Sequence, residues 1–213
     1  MKIALINENS QAAKNELICS TLKSVVEPMG HEVLNFGMYS AEDDAQLTYV
    51  QVGLLSAILL NAKAVDFVIT GCGTGQGALM SLNMYPGVVC GYCIEPTDAY
   101  LFLQINNGNA LSIPYAKGFG WGAELNLNNI FARAFGSPKG MGYPDGRKEA
   151  QNRNATLLFD MKKQVARPLL DALNAVDVQL VKECMIPRFL DCFYAGCKDD
   201  ELKAFVDRIA AMK

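Results

Sequence analysis

The chain has 213 residues, of which 51% are hydrophobic and 19% charged, with a formal net charge of −3. That composition supports a packed core and excludes a disordered chain. The mild acidity and the lack of any Lys/Arg run exclude nucleic acid and anionic membranes as partners, and no apolar stretch approaches the ~20 residues of a membrane span.

The length predicts one main domain with an appendage. Residues 1–6 form a nearly continuous apolar run, as expected of a strand buried on both faces. A helix follows, with Ile18, Leu22, Val25 and Met29 spaced by four, three and four, and stopped by Pro28 and Gly30. Residues 31–36 read as a second strand. Leu47, Val50, Leu54 and Ile58 mark a second helix, and residues 64–70 a third strand. The glycine-rich stretch 71–77 leads into a short helix through Asn83. Strand 88–93, helix 97–105, strand 110–113 and helix 121–135 complete the series. This alternation predicts an α/β fold of three layers, a doubly wound, Rossmann-like parallel sheet over residues 1–135. Its functional loops are expected at the carboxyl ends of the strands, at 7–11, 37–44, 71–77, 95–98 and 106–109. A Gly/Pro-rich loop spans 136–146. A helical C-terminal extension over 147–213 is expected to pack on the sheet or across a dimer interface, where Phe189, Phe193 and Tyr194 offer apolar surface.

Seven cysteines, an odd number, with no recognisable signal peptide, point to a reducing, cytoplasmic setting. Cys90 and Cys93 form a C-x-x-C, but within an apolar strand-like run and with no second ligand pair, so they read as structural. His31, the sole histidine, precedes a strand and reads as structural or surface.

The most informative stretch is Gly71-Cys72-Gly73-Thr74-Gly75-Gln76-Gly77. Alternate glycines let a backbone turn tightly and present successive N–H groups to an anion, and the helix behind adds the favourable end of its dipole. By itself this is also compatible with a generic phosphate or dinucleotide turn, or with a plain strand–helix turn. The cysteine adds chemistry. A thiol among such donors ionises more readily, and free N–H groups beside it can hold an oxyanion as charge develops on a carbonyl. Together these move a proton α to a carbonyl.

The segment is similar to the signature of the ribose-5-phosphate isomerase B and galactose-6-phosphate isomerase family. The resemblance continues without a gap through Asn83, Pro86-Gly87, Cys93, Ala99, Leu101, Asn106-Asn107-Gly108-Asn109 and Leu111, and includes the first strand with Glu8 behind it and Asp44. It covers about two thirds of the chain. It implies an aldose–ketose isomerase of a small sugar phosphate, needing no cofactor and no metal, in a homodimer or higher homo-oligomer that shares its sites. Cys72 would shuttle a proton between C1 and C2 through a cis-enediolate, assisted by Thr74. The amides of Gly73, Gly75, Gln76 and Gly77 would hold the oxyanion. Glu8, Asn9, Asn106 and Asn109 would contact the sugar, and Arg147 and Arg153 its phosphate.

Three residues depart from that pattern. The family's first loop carries Asp-His where this chain has Glu8-Asn9, and its ring-opening histidine is replaced by Ile105. Isoleucine cannot transfer a proton, so either another group opens the ring or the substrate arrives open-chain, as a four-carbon sugar phosphate would. The same departures suit a non-catalytic sugar-phosphate binder. A nucleotide-binding protein would want an acidic residue after the second strand, where Phe36-Gly37 stands instead.

Overall fold

The computed structural model describes residues 1–212. Its strands β1 (Lys2–Asn7), β2 (Glu32–Asn35), β3 (Phe67–Cys72), β4 (Cys90–Tyr92) and β5 (Ala110–Pro114) form one parallel sheet in the order β2-β1-β3-β5-β4. The expected α/β architecture is thus present. β1 and β3 are buried along almost their whole length, as befits strands covered on both faces. The strand order reverses between β1 and β3, so the loops after these two strands meet at the switch point. The chain-order expectation gives no hint that β5 inserts between β3 and β4, and this insertion places Pro114 opposite Cys72.

Helices α1 (Asn15–Val26), α4 (Pro96–Leu101) and α5 (Ala123–Phe135) cover one face, with Ile18, Leu22, Leu127 and Phe131 in its core. Helices α2 (Tyr49–Asn61) and α3 (Gln76–Asn83) cover the other. Every residue of α2 from Gln51 to Leu60 is buried. A helix apolar on all sides needs a cover on each, and the C-terminal extension supplies the second one. After α6 (Lys148–Val165), the helices α7 (Leu169–Ala175), α8 (Val178–Glu183), α9 (Pro187–Gly196) and α10 (Asp200–Ala210) put Leu173, Phe189, Phe193, Phe205 and Val206 into the same core as α2. Phe189 and Phe193, expected at a subunit interface, are 0% exposed. Tyr194 is partly exposed, and its hydroxyl donates to Asp207 at 2.6 Å. The unsatisfied apolar surface lies instead on α6, which buries none of its residues and exposes Leu157, Leu158, Met161 and Val165.

The Gly/Pro loop is fastened down. Gly140 and Gly142 donate to the carbonyls of Leu103 and Gln104, Gln104 Oε1 accepts the Met141 amide, and Asn152 donates to the Gly140 carbonyl. Gln104 sits in a π-helical turn, Phe102–Asn106, that replaces the end of the expected helix 97–105.

Candidate active site

In a parallel sheet a residue that follows a strand stands at the carboxyl edge, and one that precedes a strand stands at the amino edge. Cys72 ends β3. Asn106 and Asn109 precede β5, and Val68, at the start of β3, is level with Ala110. The two groups are therefore separated by about 13 Å of strand. The expectation that loop 106–109 joins Cys72 at one edge is overturned within a single chain, because that loop returns the chain from helix to strand.

At the carboxyl edge, β3 carries Cys72 to the rim with 7% exposure. Its Sγ lies 4.0 Å from Thr74 Oγ1, and its carbonyl accepts the Tyr115 amide at 3.0 Å. The amides of Gly73, Thr74 and Gly75 bond to no acceptor among the described residues. The Gln76 amide is turned onto Thr74 Oγ1 at 3.3 Å, which leaves it the least free of the expected anion donors. Gly75 is indispensable to this turn. Its φ is +72°, and a Cβ there would lie 2.7 Å from Tyr92 Cε2 and 3.0 Å from the Pro114 nitrogen. The turn is also held from outside, since Ser112 Oγ donates to the Gly75 carbonyl at 2.7 Å and Tyr92 OH to the Thr74 carbonyl at 3.0 Å.

The loop after β1 forms the adjoining wall. Glu8 is buried and caps the 3-10 turn Asn9–Lys14, accepting from the Ser10 amide at 3.0 Å and the Ser10 hydroxyl at 2.5 Å. Asn9 is exposed, and its amide donates to the Leu47 carbonyl at 2.7 Å. A donor chain runs from Lys14 to Gln11, from Gln11 to Ser10 and from Ser10 to Glu8. Lys14 also donates to the Tyr115 carbonyl, and burial pushes its ammonium below the usual lysine range. Gln11 Nε2 would stand 3.6 Å from a Cβ on Gly73, so this chain borders the cradle. On the other side Lys117 reaches Tyr92 OH at 3.4 Å. No sequence pattern singles out Ser10, Gln11, Tyr92 or Lys117. The first two fall within the expected loop 7–11, but only the strand order brings Tyr92 and Lys117 here.

Asn106, at the amino edge, is exposed, as are Arg147 and Arg153. α6 packs on the Phe102–Asn106 turn, and a cleft of about 550 Å³ there is lined by Asn106, Asn107, Lys139, Thr156 and Lys162. Asn109 is spent structurally, donating to the Gly87 carbonyl and accepting the Val89 amide, both at 2.8 Å. His31 stands at this edge too, with its Nδ1 3.3 Å from the terminal amine. Cys90 and Cys93 are buried free thiols. Burial pushes Cys90 up strongly, and Cys93 up to about 12. Among the described residues no cluster of His, Cys, Asp or Glu is grouped to hold a metal ion.

Residues 3–135 match the family model described as Ribose/Galactose Isomerase, and residues 165–209 match a second one described as Ribose-5-phosphate isomerase. The solved ribose-5-phosphate isomerase of Vibrio parahaemolyticus is 52% identical, with a TM-score of 0.96 over 98% of this chain and 99% of that one. A 4-deoxy-L-threo-5-hexosulose-uronate ketol-isomerase, solved with a tartrate, is also 52% identical, with a TM-score of 0.97 over 100% of both chains. Ribose-5-phosphate isomerase B of Escherichia coli (strain K12) is 32% identical over 83 residues, which are 39% of this chain and 54% of that protein. The match thus spans about half the length of that curated relative.

Proposed function

Because the chain belongs to the ribose/galactose isomerase family, we propose that it is a ketol-isomerase that moves a proton between C1 and C2 of a sugar bearing a terminal anion. The observation that carries this reading is the cradle: a thiol at the rim of β3 beside the unpaired amides of Gly73, Thr74 and Gly75. In the proposed reaction Cys72, as thiolate, takes the proton from C2 of the aldose. The C–H electron pair forms the C1–C2 double bond, and the aldehyde oxygen becomes an oxyanion held by those amides. Cys72 returns the proton to C1 and is thiolate again, the O2 proton passes to the O1 oxyanion to make the C1 hydroxyl, and the freed O2 electron pair makes C2 the carbonyl. Thr74 steadies the thiol, and the Glu8–Ser10 pair lies close enough along the loop wall to meet the sugar hydroxyls.

Ile105 bears on the substrate. The two relatives that are 52% identical carry names for a pentose phosphate and for a hexosulose uronate. Ribose 5-phosphate closes a ring through its 4-hydroxyl. A 4-deoxy-5-oxo uronate has neither a 4-hydroxyl nor a 5-hydroxyl to close on C1, so it needs no ring-opening acid. A chain with isoleucine where the family has its ring-opening histidine suits the second kind of substrate, or a four-carbon sugar phosphate. The homodimer reading completes the site. A second copy would bring its Asn106, Arg147 and Arg153 edge to this cradle, burying the α6 side chains Leu157, Leu158 and Met161 against a neighbour.

The test is a substrate panel of erythrose 4-phosphate, ribose 5-phosphate and the 4-deoxy-5-hexosulose uronate, read by product formation and by solvent deuterium at carbon. Exchange and turnover with an open-chain substrate are expected. Binding without exchange for every compound would make the chain a sugar-anion binder.

A further inference from the structure

We propose that Arg188 is a positioning residue for this reaction, through which the C-terminal extension sets the loop wall beside Cys72; the proposal rests on the ketol-isomerase reading. Arg188 lies in the first turn of α9, and its Nη2 donates to both carboxylate oxygens of Asp43 at 2.7 Å. Its guanidinium carbon stands 4.2 Å from the centre of the Tyr39 ring. Asp43 is the hub of the loop between β2 and α2. Its carboxylate also accepts the amides of Tyr39 and Ala45, both at 2.9 Å, so three donors make four bonds to a side chain that is 9% exposed.

That loop follows β2, so it stands at the carboxyl edge, and both its ends grip the turn after β1. Met38 donates its amide to the Asn7 carbonyl at 2.9 Å, and Leu47 accepts the Asn9 amide at 2.7 Å. Asn7 and Asn9 flank Glu8. A continuous set of bonds therefore runs from α9 through Asp43 to the wall that faces the cradle.

Docking the extension does not require this contact. Leu173, Phe189, Phe193, Phe205 and Val206 already bury against α2, and Glu183 accepts from Gln51 at 3.2 Å. Arg188 Nε is buried without a partner among the described residues, so Asp43 is the carboxylate that fixes this guanidinium. The pair is a two-ended device, and cutting either end releases the loop.

The experiment compares Arg188→Ala, Arg188→Lys and Asp43→Asn with Glu183→Ala, which removes a different side-chain bond to the sheet unit, that with Gln51. Hydrogen exchange of peptides covering 7–12 and 36–48 is read alongside kcat and KM on the best substrate of the panel. A misplacement of ~1 Å costs a site up to ~10²-fold. Arg188→Ala and Asp43→Asn should accordingly raise exchange in both peptides and lower kcat/KM by ~10–100-fold, mainly through KM. Arg188→Lys should restore part of each, and Glu183→Ala should match the wild type. Wild-type exchange over 7–12 in both Arg188→Ala and Asp43→Asn, or unchanged KM in an active enzyme, overturns the proposal alone. A wild type that isomerises nothing in the panel overturns it together with the reading it rests on.

Discussion

Cys72 and Pro114 are register partners across β3 and β5, and the residue after Pro114, Tyr115, donates its amide to the Cys72 carbonyl at 3.0 Å. The thiol therefore stands on the last rung of a two-strand ladder, with the turn beginning only at Gly73. A proton-transfer group needs a fixed position more than it needs reach, and β5 supplies that position directly, while β1 holds the preceding residue, Gly71, opposite Asn7.

Replacement of Cys72 by serine separates chemistry from binding. A hydroxyl keeps the hydrogen-bonding capacity of the thiol and is a far weaker acid. A positioned base contributes ~10²–10⁴-fold, so Cys72→Ser should lose at least that much turnover and all detectable deuterium exchange, with the dissociation constant changed little. Iodoacetamide should inactivate the wild type, with protection by substrate. Near-normal turnover in Cys72→Ser would remove Cys72 from the role of base.

The glycines of the cradle are unequal. Gly75→Ala meets a positive φ, costing roughly 1–2 kcal/mol for an L-residue, and a ring carbon and backbone nitrogen at 2.7 and 3.0 Å. A Cβ on Gly73 would meet nothing nearer than 3.6 Å. Thermal melts should show a clear loss for Gly75→Ala and a change within about 0.5 kcal/mol for Gly73→Ala, as for a substitution that disturbs no packing.

Ile105 is the expected discriminator of ring form. Ile105→His should raise kcat/KM for ribose 5-phosphate relative to an open-chain aldose, measured side by side. An unchanged ratio would mean that ring opening is not what this position decides.

The α6 surface makes a separate prediction about assembly. Leu158 and Met161 are 62% and 60% exposed in the single chain. The double variant Leu158→Glu, Met161→Glu should sediment as a monomer, keep its circular dichroism and lose activity. A wild type that is itself monomeric at micromolar concentration, yet active, would refute the shared site.

Acid should loosen the loop at Asp43. Burial pushes this carboxyl up, but the Arg188 guanidinium and the Tyr39 and Ala45 amides outweigh it and hold it below the usual aspartate value. The folded form thus binds this proton less readily than the unfolded chain. Its contribution to stability is complete above the ordinary value near ~3.9 and disappears as the pH falls through the lower folded value. The difference in Tm between wild type and Asp43→Asn should be constant from neutral pH to about pH 5 and shrink below about pH 4.

Much of this molecule is legible in the order of its residues. Short continuous apolar runs mark the strands, which are covered on both faces, and a period of 3.6 marks the amphipathic helices, because that period is fixed by local backbone geometry. Glycine spacing around Cys72 marks the cradle for the same reason, since a tight turn that exposes amides needs residues without Cβ atoms. The largely apolar run of α2, broken only by Gln51, Ser56 and its last residue Asn61, carries the signal of a second cover, which only the folded extension explains. What the sequence could not determine is which edge a residue joins and which strand is its neighbour. Asn106 is a matching motif residue, yet it belongs to the amino edge because the loop that bears it leads into β5. Tyr92 and Lys117 reach the cradle only because β5 slots between β3 and β4, and Arg188 meets Asp43 across 145 positions of chain. Such pairings depend on how the sheet and the tail bury their shared apolar surface, a property of the whole packed chain and of no local pattern within it.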